Sequence, residues 1–329
     1  MRYPDSDHCR KGRFFNPGIA PHTLKDVLRW RRTSVPGPWR RTIPATPGPA
    51  PEARVTDGEL AVTFVGHSTV LLQTEGLNIL TDPIWSERCS PVSWAGPRRH
   101  RIPGIRLEEL PKIDLILLSH NHYDHCDLPT LRHLVQRDAP AIACPLGLAR
   151  LLRRLGFRRI VELDWGQSAP FGAATLHCVR AQHFAARGLL DRYRTLWCGW
   201  AVALPSGTLY FAGDSGFGPF FSGIARDLGP IRLAMLPIGA YQPEWFMGSV
   251  HMSPAEAVAV HRILQPQESI AIHYGTFSLA DDGEIDPVMA LEEELRRNPP
   301  PTLFRILPEG QCHRLPAPES LSTEEPILA

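Results

Sequence analysis

The chain has 329 residues, a formal net charge of +1 and a hydrophobic content of 43%. This composition excludes a largely disordered chain. The near-neutral charge argues against a dedicated nucleic-acid binder, and no apolar stretch approaches the roughly 18 residues of a membrane-spanning helix. Because the sequence starts without the apolar segment of a secretory signal, we expect a cytoplasmic protein. The seven cysteines include no Cys-x-x-Cys pair, which predicts reduced thiols.

Residues 1–55 differ in composition from the rest of the chain. They are rich in arginine, carry Trp30 and Trp39, and end in a run of prolines. The pattern at 24–32 predicts a short amphipathic helix, and the prolines after it indicate an extended arm. We favour an arm that packs on the main domain or in a homodimer contact. The alternative is a basic and aromatic surface that makes a peripheral contact with anionic lipid.

From residue 59 the hydrophobic pattern becomes regular, and it predicts one main domain over residues 56–315. Continuous apolar runs such as 114–119 are typical of strands covered on both faces. The predicted strands lie at 60–65, 69–73, 77–80, 114–119, 141–144, 160–163, 174–180, 198–204, 208–212, 231–236, 269–273 and 303–307. The predicted helices lie at 129–137, 147–155, 219–228, 254–264 and 287–298. This alternation predicts an α/β fold with two sheets between helices, and the acidic tail 316–329 is predicted to be disordered.

A dense group of polar residues follows the predicted strand 114–119. His120, His122, Asp124 and His125 occupy six positions in a loop. Loops after strands are where α/β folds place reactive groups, and imidazole and carboxylate suit zinc, manganese or iron. A purely structural role would crowd four polar groups beside an apolar strand, which is rarely tolerated. The loop therefore predicts a metal site.

Three further candidates follow predicted strands downstream. They are His183, Asp214 in a glycine-flanked turn, and His273. Taken singly, each of these residues is more often part of a core or a turn than a ligand. Together with the first loop they supply seven ligands, which is enough for two metal ions.

These motifs resemble the metallo-β-lactamase superfamily of binuclear metallohydrolases. Over about residues 60–310 the chain is most similar to N-acyl-phosphatidylethanolamine-hydrolysing phospholipase D. The further motifs that carry this resemblance are Gly66-His67-Ser68-Thr69-Val70, Leu80-Thr81-Asp82-Pro83-Ile84, Gly96-Pro97-Arg98-Arg99, Leu110-Pro111-Lys112-Ile113-Asp114, Ile238-Gly239-Ala240-Tyr241 and Ile272-His273-Tyr274-Gly275-Thr276-Phe277. The sequence departs from the phospholipase at Ser93-Trp94, where the phospholipase has a Gln-Tyr pair, and this difference bears on headgroup preference.

The resemblance implies a metallo-β-lactamase fold, an αββα four-layer sandwich of two mixed β-sheets flanked by helices. It implies that one metal is held by His120, His122 and His183. The second metal would be held by Asp124, His125 and His273, with Asp214 bridging the two. The implied reaction is hydrolysis of a phosphodiester, in an N-acyl-phosphatidylethanolamine or a related glycerophospholipid, by a metal-bridging hydroxide. Zinc is the expected metal, with manganese or iron as alternatives.

Other residues receive roles with open alternatives. Asp82 either orients a metal ligand or forms a turn before Pro83. His67 either lines the site or is a hydrogen-bonded structural histidine. His251 matches a histidine of the phospholipase and is a candidate for contacting the phosphate or protonating the leaving oxygen. Tyr123 either reaches the substrate or packs its ring.

The main rival function is that of a lactonase acting on a phosphorylated sugar acid. An enclosed, arginine-lined pocket would favour that small anion, whereas an apolar groove beside the aromatic arm would favour lipid. Hydrolysis of a β-lactam antibiotic is disfavoured by the missing secretory signal. A metal-dependent binding protein without turnover is disfavoured by the intact ligand set.

Overall fold

The structure is a computed structural model that describes residues 3–188 and 190–318. Apart from its first three residues, the predicted tail 316–329 lies outside these ranges. The strands are β1 (Cys9–Arg10), β2 (Arg13–Phe14), β3 (Leu60–Gly66), β4 (Thr69–Thr74), β5 (Leu77–Thr81), β6 (Leu115–Leu117), β7 (Ala141–Pro145), β8 (Ile160–Leu163), β9 (Ser168–Phe171), β10 (Ala174–Val179), β11 (Gly199–Leu204), β12 (Gly207–Phe211), β13 (Ile231–Pro237), β14 (Glu268–Ile272), β15 (Leu303–Arg305) and β16 (Cys312–Leu315). The helices are α1 (Leu24–Thr33), α2 (Leu128–Asp138), α3 (Ala149–Leu155), α4 (Phe220–Leu228), α5 (Glu244–Met247), α6 (Pro254–Leu264) and α7 (Asp286–Arg297).

Two mixed sheets of seven strands form the centre of the fold. The first has the order β16-β3-β4-β5-β6-β7-β8 and the second β15-β14-β13-β12-β11-β10-β9. In each sheet the strands nearest the middle change from antiparallel to parallel pairing, at β5–β6 and at β12–β13. This arrangement brings the ends of β3, β5 and β6 to the same edge as the ends of β10, β12 and β14.

The hydrophobic core has an inner layer and two outer layers. Facing residues of the two sheets, such as Phe64 and Trp200, pack in the inner layer. Leu134 of α2 packs with Ile116 on the outer face of the first sheet. Helices α4, α6 and α7 cover the second sheet through residues such as Val258. The predicted sandwich of two sheets between helices is confirmed.

Each predicted strand and helix has a counterpart in the structure, but the ends of several differ. The predicted strand 114–119 is too long at both ends. At its C-terminal end, the backbone N–H of Ser119 donates to the carboxylate of Asp82 instead of to a neighbouring strand. Strands β1, β2, β9 and β16 and the short helix α5 were not predicted. Among the described residues all seven cysteines are free thiols.

The N-terminal segment packs against the main domain along much of its described length. The hairpin β1–β2 buries Phe14, which packs near Trp197. Helix α1 begins with a capping box at Thr23 and turns Trp30 inward, where its indole N–H donates to Asp281. The indole of Trp39 donates to the carbonyl of Asp282. Both tryptophans therefore contact protein.

Candidate metal centre

Loops from both sheets meet at one edge of the sandwich, and each begins where a strand ends. They bring together the sequence-predicted residues His67 after β3, Asp82 after β5, His120 to His125 after β6, His183 after β10, Asp214 after β12 and His273 after β14. His251 reaches the same place from the turn before α6. Because the strands fix the starting point of every loop, ligands far apart in the sequence converge in space.

Asp214 lies at the centre of this group. Its Oδ2 atom is 3.1 Å from Nε2 of His125 and 3.1 Å from Nε2 of His273. The same oxygen is 3.6 Å from Nε2 of His183 and 3.9 Å from Nε2 of His120. A single carboxylate thus faces imidazoles from both halves of the sandwich, which is the geometry that a bridging ligand needs.

Three imidazoles form one half of the cluster. The Nδ1 atom of His122 lies 2.8 Å from Nε2 of His120 and 3.2 Å from Nε2 of His183. Ligands at zinc–nitrogen distances and tetrahedral angles stand roughly 3.3 Å apart, so these nitrogens are spaced for one ion. The second nitrogen of His120 contacts Ser119 Oγ, and that of His183 contacts the carbonyl of Val250. These contacts fix the ring orientations.

The other half of the cluster is built around Asp124. Its Oδ2 atom lies 3.1 Å from Nε2 of His125, 3.5 Å from Nε2 of His273 and 3.0 Å from Nε2 of His67. His125 is fixed from behind, because its Nδ1 lies 2.6 Å from Asp82 Oδ2. The structure thus gives Asp82 the contact expected of a residue that orients a ligand, and it gives His67 a buried partner in Asp124.

The backbone near this half of the cluster is strained. His67, Asp82 and His273 have positive φ angles of 56°, 27° and 61°, which non-glycine residues adopt at a cost of about 1–3 kcal/mol each. Gly213 before Asp214 also has a positive φ, and a Cβ there would lie 2.7 Å from Ser119 Cβ. Such strain clusters at functional sites, where the surrounding structure holds it.

The protonation of the cluster follows from burial and from the two carboxylates. Burial favours neutral imidazole and lowers the pKa of His122 to about 4 and that of His183 to about 3. Burial also acts on His273, but the attraction of Asp214 and Asp124 outweighs it and raises the pKa of His273 to about 9. Burial would raise the pKa of Asp214, yet His125 and His273 hold it well below its usual range. The carboxylates therefore attract positive charge to the middle of the cluster.

The cluster fits a metal centre. Asp214 Oδ1 and Nε2 of His125 and His273 are buried and have no hydrogen-bond partner among the described residues. Unpaired buried polar atoms are costly, and a cation between them would satisfy these atoms. Neutral imidazoles and ionised carboxylates are the forms that bind metals.

Two sequence-predicted residues lie differently from the rest. His251 is buried with its ring 5.2 Å from that of His273, and its ligand atoms, like those of His183 and Asp214, fall in a group within 4.8 Å. Tyr123 points away from the cluster, since its hydroxyl donates to the carbonyl of Arg187 and its ring lines a neighbouring cavity. The structure therefore gives no basis for a substrate contact by Tyr123.

Sequence patterns did not indicate Arg187, which braces the loop that carries the first ligands. Its guanidinium donates to the carbonyls of Asn121 and Cys126, at 3.0 and 2.8 Å, and lies 4.0 Å from the ring centre of Tyr123. The brace joins residues more than 60 positions apart in sequence, so no local motif could reveal it. Gln182, also unpredicted, donates to the carbonyl of Ser249 and ties the loops of His183 and His251 together.

A cavity of about 640 Å³ opens over the cluster. Predicted ligands from both halves of the cluster lie on its floor. Its other walls are mainly apolar and come largely from the N-terminal segment and from α5. The aromatic and aliphatic wall residues include Phe14, Phe15, Ile19, Trp30, Phe184 and Phe246.

The sequence and the structure both match known proteins. Residues 77–274 match the family model described as a beta-lactamase superfamily domain. An uncharacterised protein of Mycobacterium tuberculosis is 43% identical over 75% of this chain and 68% of its own length. N-acyl-phosphatidylethanolamine-hydrolyzing phospholipase D 1 of Caenorhabditis elegans is 42% identical over 68% of this chain and 66% of its own length. A metallo hydrolase from Ignicoccus hospitalis shares the fold, with a TM-score of 0.59 and 22% identity over 78% of this chain and 99% of its own.

A four-layer sandwich with a histidine and aspartate cluster at the edge where both sheets end defines a metal-dependent hydrolase. The chain belongs to the metallo-β-lactamase superfamily. None of the helices in the described ranges is long and apolar enough to cross a bilayer.

Proposed function

We propose that this chain is a two-metal phosphodiesterase of the phospholipase D type. Its proposed substrate is N-acyl-phosphatidylethanolamine or a related glycerophospholipid, as the names of the C. elegans and yeast relatives suggest. The observation that carries the proposal is the apolar cavity over the candidate metal centre. Acyl chains need such walls, whereas a small phosphorylated sugar acid would leave them unused.

The proposed ligand sets follow the two halves of the cluster. One ion would be held by His120, His122 and His183, the other by Asp124, His125 and His273, and Asp214 would bridge them. When bound, two divalent ions would activate a water molecule and stabilise negative charge on the phosphoryl oxygens. Zinc suits this nitrogen-rich ligand set best.

The protein groups around the ions would orient the metal ligands and the attacking water. The carboxylate of Asp82 would hold the Nδ1 atom of His125, and the hydroxyl of Ser119 would hold the Nδ1 atom of His120. In the proposed hydrolysis, the oxygen of water bonds to phosphorus, the P–O bond to the N-acylethanolamine breaks, and a proton passes to the leaving oxygen. Asp124, which accepts from His67, would orient the attacking water.

His251 is the candidate for contacting the phosphate. Its Nδ1 atom is buried without a hydrogen-bond partner among the described residues, and its ring lies beside those of His183 and His273 at the floor of the cavity. An N–H there would donate to a phosphoryl oxygen of a bound phosphodiester. Burial lowers the pKa of His251 to about 3, and the neutral imidazole that results still has one N–H for this contact.

We also propose that the chain contacts membranes peripherally through the outer face of α1. Leu24 and Leu28 are exposed one helical turn apart, with Lys25 and Arg32 on the same helix. Trp245 of α5 lies beside α1, under the guanidinium of Arg29, and is partly exposed. Apolar side chains ringed by basic residues suit the surface of an anionic bilayer, and this face lies next to the cavity wall formed by Trp30.

The experiment is a hydrolysis screen with the metal-loaded protein in neutral detergent micelles. N-acyl-phosphatidylethanolamine should yield N-acylethanolamine and phosphatidic acid. In water enriched in oxygen-18 the label should enter the phosphatidic acid, because the oxygen of water attacks phosphorus. A chromogenic phosphodiester should also turn over faster than its monoester. Hydrolysis of only a sugar-acid lactone or a β-lactam in the same screen would contradict the proposal, as would binding of the lipid without any turnover.

A further inference from the structure

The cavity is lined by positively charged side chains that do not belong to the candidate metal centre. Apart from the aspartates and histidines of the cluster, its charged wall residues are Arg10, Arg13 and Arg192. None of the three lies within ion-pair distance of a carboxylate in residues 3–188 and 190–318. Each is exposed, and within the described residues the guanidinium of Arg13 makes one hydrogen bond, to the carbonyl of Arg192, which leaves its other donors for a ligand in the cavity.

Aromatic packing holds the guanidinium of Arg192 near the candidate metal centre. Arg192 lies 5.0 Å from the ring centre of Phe184 and 4.9 Å from that of Tyr193. Phe184 in turn packs on His122, with ring centres 4.6 Å apart. Only one aromatic ring, that of Phe184, therefore separates the Arg192 guanidinium from a proposed metal ligand.

The hairpin β1–β2 fixes the other two arginines. Arg13 donates to the backbone carbonyl of Arg192, and the backbone N–H of Phe14 donates to the carbonyl of Tyr193 at 2.8 Å. Arg10 is paired with Arg13 in the hairpin register. The three guanidiniums are thus brought to one wall by two segments that are bonded to each other.

We infer that Arg10, Arg13 and Arg192 form an anion subsite that selects lipids with a second negative group on the headgroup. The inference rests on the proposed function, in which the metal ions take the scissile phosphate. The planar guanidinium matches carboxylate and phosphate with paired hydrogen bonds. An uncharged N-acylethanolamine headgroup offers no such partner. N-acyl-phosphatidylserine differs from N-acyl-phosphatidylethanolamine by one carboxylate, so it is the simplest lipid that would use both sites.

The same arginines would also attract any anionic bilayer. The experiment therefore separates the charge of the substrate headgroup from the charge of the lipid surface. Both N-acyl phospholipids are presented in neutral detergent micelles, with matched acyl chains. The ratio of their kcat/KM values is measured without and with added phosphatidylglycerol. A subsite for the headgroup makes N-acyl-phosphatidylserine the better substrate in neutral micelles. Equal kcat/KM values there, with rates for both lipids rising only on addition of phosphatidylglycerol, would overturn the inference in favour of surface attraction.

The variants test whether the preference comes from this wall. In Arg192→Gln the preference for N-acyl-phosphatidylserine should fall about fivefold, the effect of one exposed ion pair near the upper end of its range. Arg192→Lys keeps the charge without the paired donors and should lose less. Arg10→Gln should act in the same direction without touching the Arg13–Arg192 contact. The matched control is Arg154→Gln, an exposed arginine on α3, which should leave the ratio unchanged. A ratio that is the same in all four variants as in the parent would overturn the subsite.

A measurement of ligand binding tests the anion subsite even if no lipid is hydrolysed. Titration calorimetry compares N-dodecanoyl-serine with the uncharged N-dodecanoyl-ethanolamine. The parent should bind the serine compound more tightly, and Arg192→Gln should remove most of that difference. If neither phospholipid is hydrolysed but this pattern holds, the proposed function fails and the subsite stands. If lipids are hydrolysed but the carboxylate gives no advantage that depends on Arg192, the subsite fails and the proposed function stands.

Discussion

Asp214 lies next to histidines of both proposed ligand sets. One of its oxygens faces imidazoles from both ligand sets at 3.1–3.9 Å, and the other is buried without a hydrogen-bond partner in the described structure. In Asp214→Asn the size of the side chain is retained and the negative charge is lost. We expect metal content to fall from the proposed two ions per chain, and turnover to drop by more than the roughly 10–100-fold typical of residues that only orient ligands.

Metal analysis and kcat on a soluble phosphodiester check this prediction for Asp214. The control is Asp227→Asn, an exposed aspartate on α4, which should retain both properties. A purified Asp214→Asn protein with full metal and full activity would show that the bridging assignment is wrong.

Substitution of Arg187 tests whether a residue outside the ligand set holds the metal ligands in place. Its guanidinium joins two carbonyls of the loop from Asn121 to Cys126. Arg187→Met removes both hydrogen bonds, and we expect metal affinity to weaken about 10–100-fold, with a smaller loss in Arg187→Lys. Competition with a chelator gives the dissociation constant of the metal. Arg158→Met, at an exposed position, is the control; equal affinity in the Arg187 and Arg158 variants would exclude the brace.

At the scale of elements, α1 has two faces with different environments. Its inner face stacks Trp30 on Phe246, with ring centres 4.9 Å apart. After the helix, Arg40 pairs with the buried Glu284. Its outer face exposes Leu24 and Leu28. The inner contacts are those of a structural arm, so a test of membrane contact has to leave them intact.

The membrane prediction therefore uses only the outer face of α1. In the combined variant Lys25→Gln, Arg31→Gln and Arg32→Gln, co-sedimentation with anionic vesicles should weaken by about fivefold for each charge, from about 1 kcal/mol per basic residue. Turnover of a soluble phosphodiester and the melting temperature should stay the same. The matched control, which also removes three charges, changes the exposed Arg150, Arg153 and Arg154 on α3 to Gln. Vesicle binding as strong as that of the parent would assign lipid contact to another surface.

At the scale of the whole molecule, sequence patterns predicted the strands that carry a run of apolar residues, including the partly exposed β8 and β15, and the helices with an apolar face. Strand β9 was missed because it is a half-exposed edge strand with Pro170 in it, and prolines are found on edges. The hairpin β1–β2 has only two residues in each strand, too few for any periodicity. The hairpin β1–β2 is held in place by contacts with residues distant in the sequence, such as the hydrogen bond from the Phe14 N–H to the carbonyl of Tyr193.

The candidate site was predictable for a different reason. His120 to His125 form a compact motif, and the remaining ligands follow strands, so the topology brings them together. The direction of Tyr123 was not predictable, because it depends on Arg187 from a loop more than 60 residues away. The arginines of the cavity wall come from β1–β2 and from the loop at Arg192, and only their tertiary contact shows that they share a wall.

The cluster also makes a prediction for the stability of the fold. It draws residues from loops of both sheets, so an ion held there would join the two halves of the sandwich. A ligand that binds only the folded state adds about 2.7 kcal/mol to the free energy of unfolding at a concentration one hundred times its Kd. We therefore expect chelation to lower the melting temperature, and added Zn²⁺ to restore it in a concentration-dependent way. Asp214→Asn should show a smaller response to zinc, whereas Asp227→Asn should respond like the parent. A melting temperature that is the same with chelator and with excess zinc would contradict a metal centre shared by the two sheets.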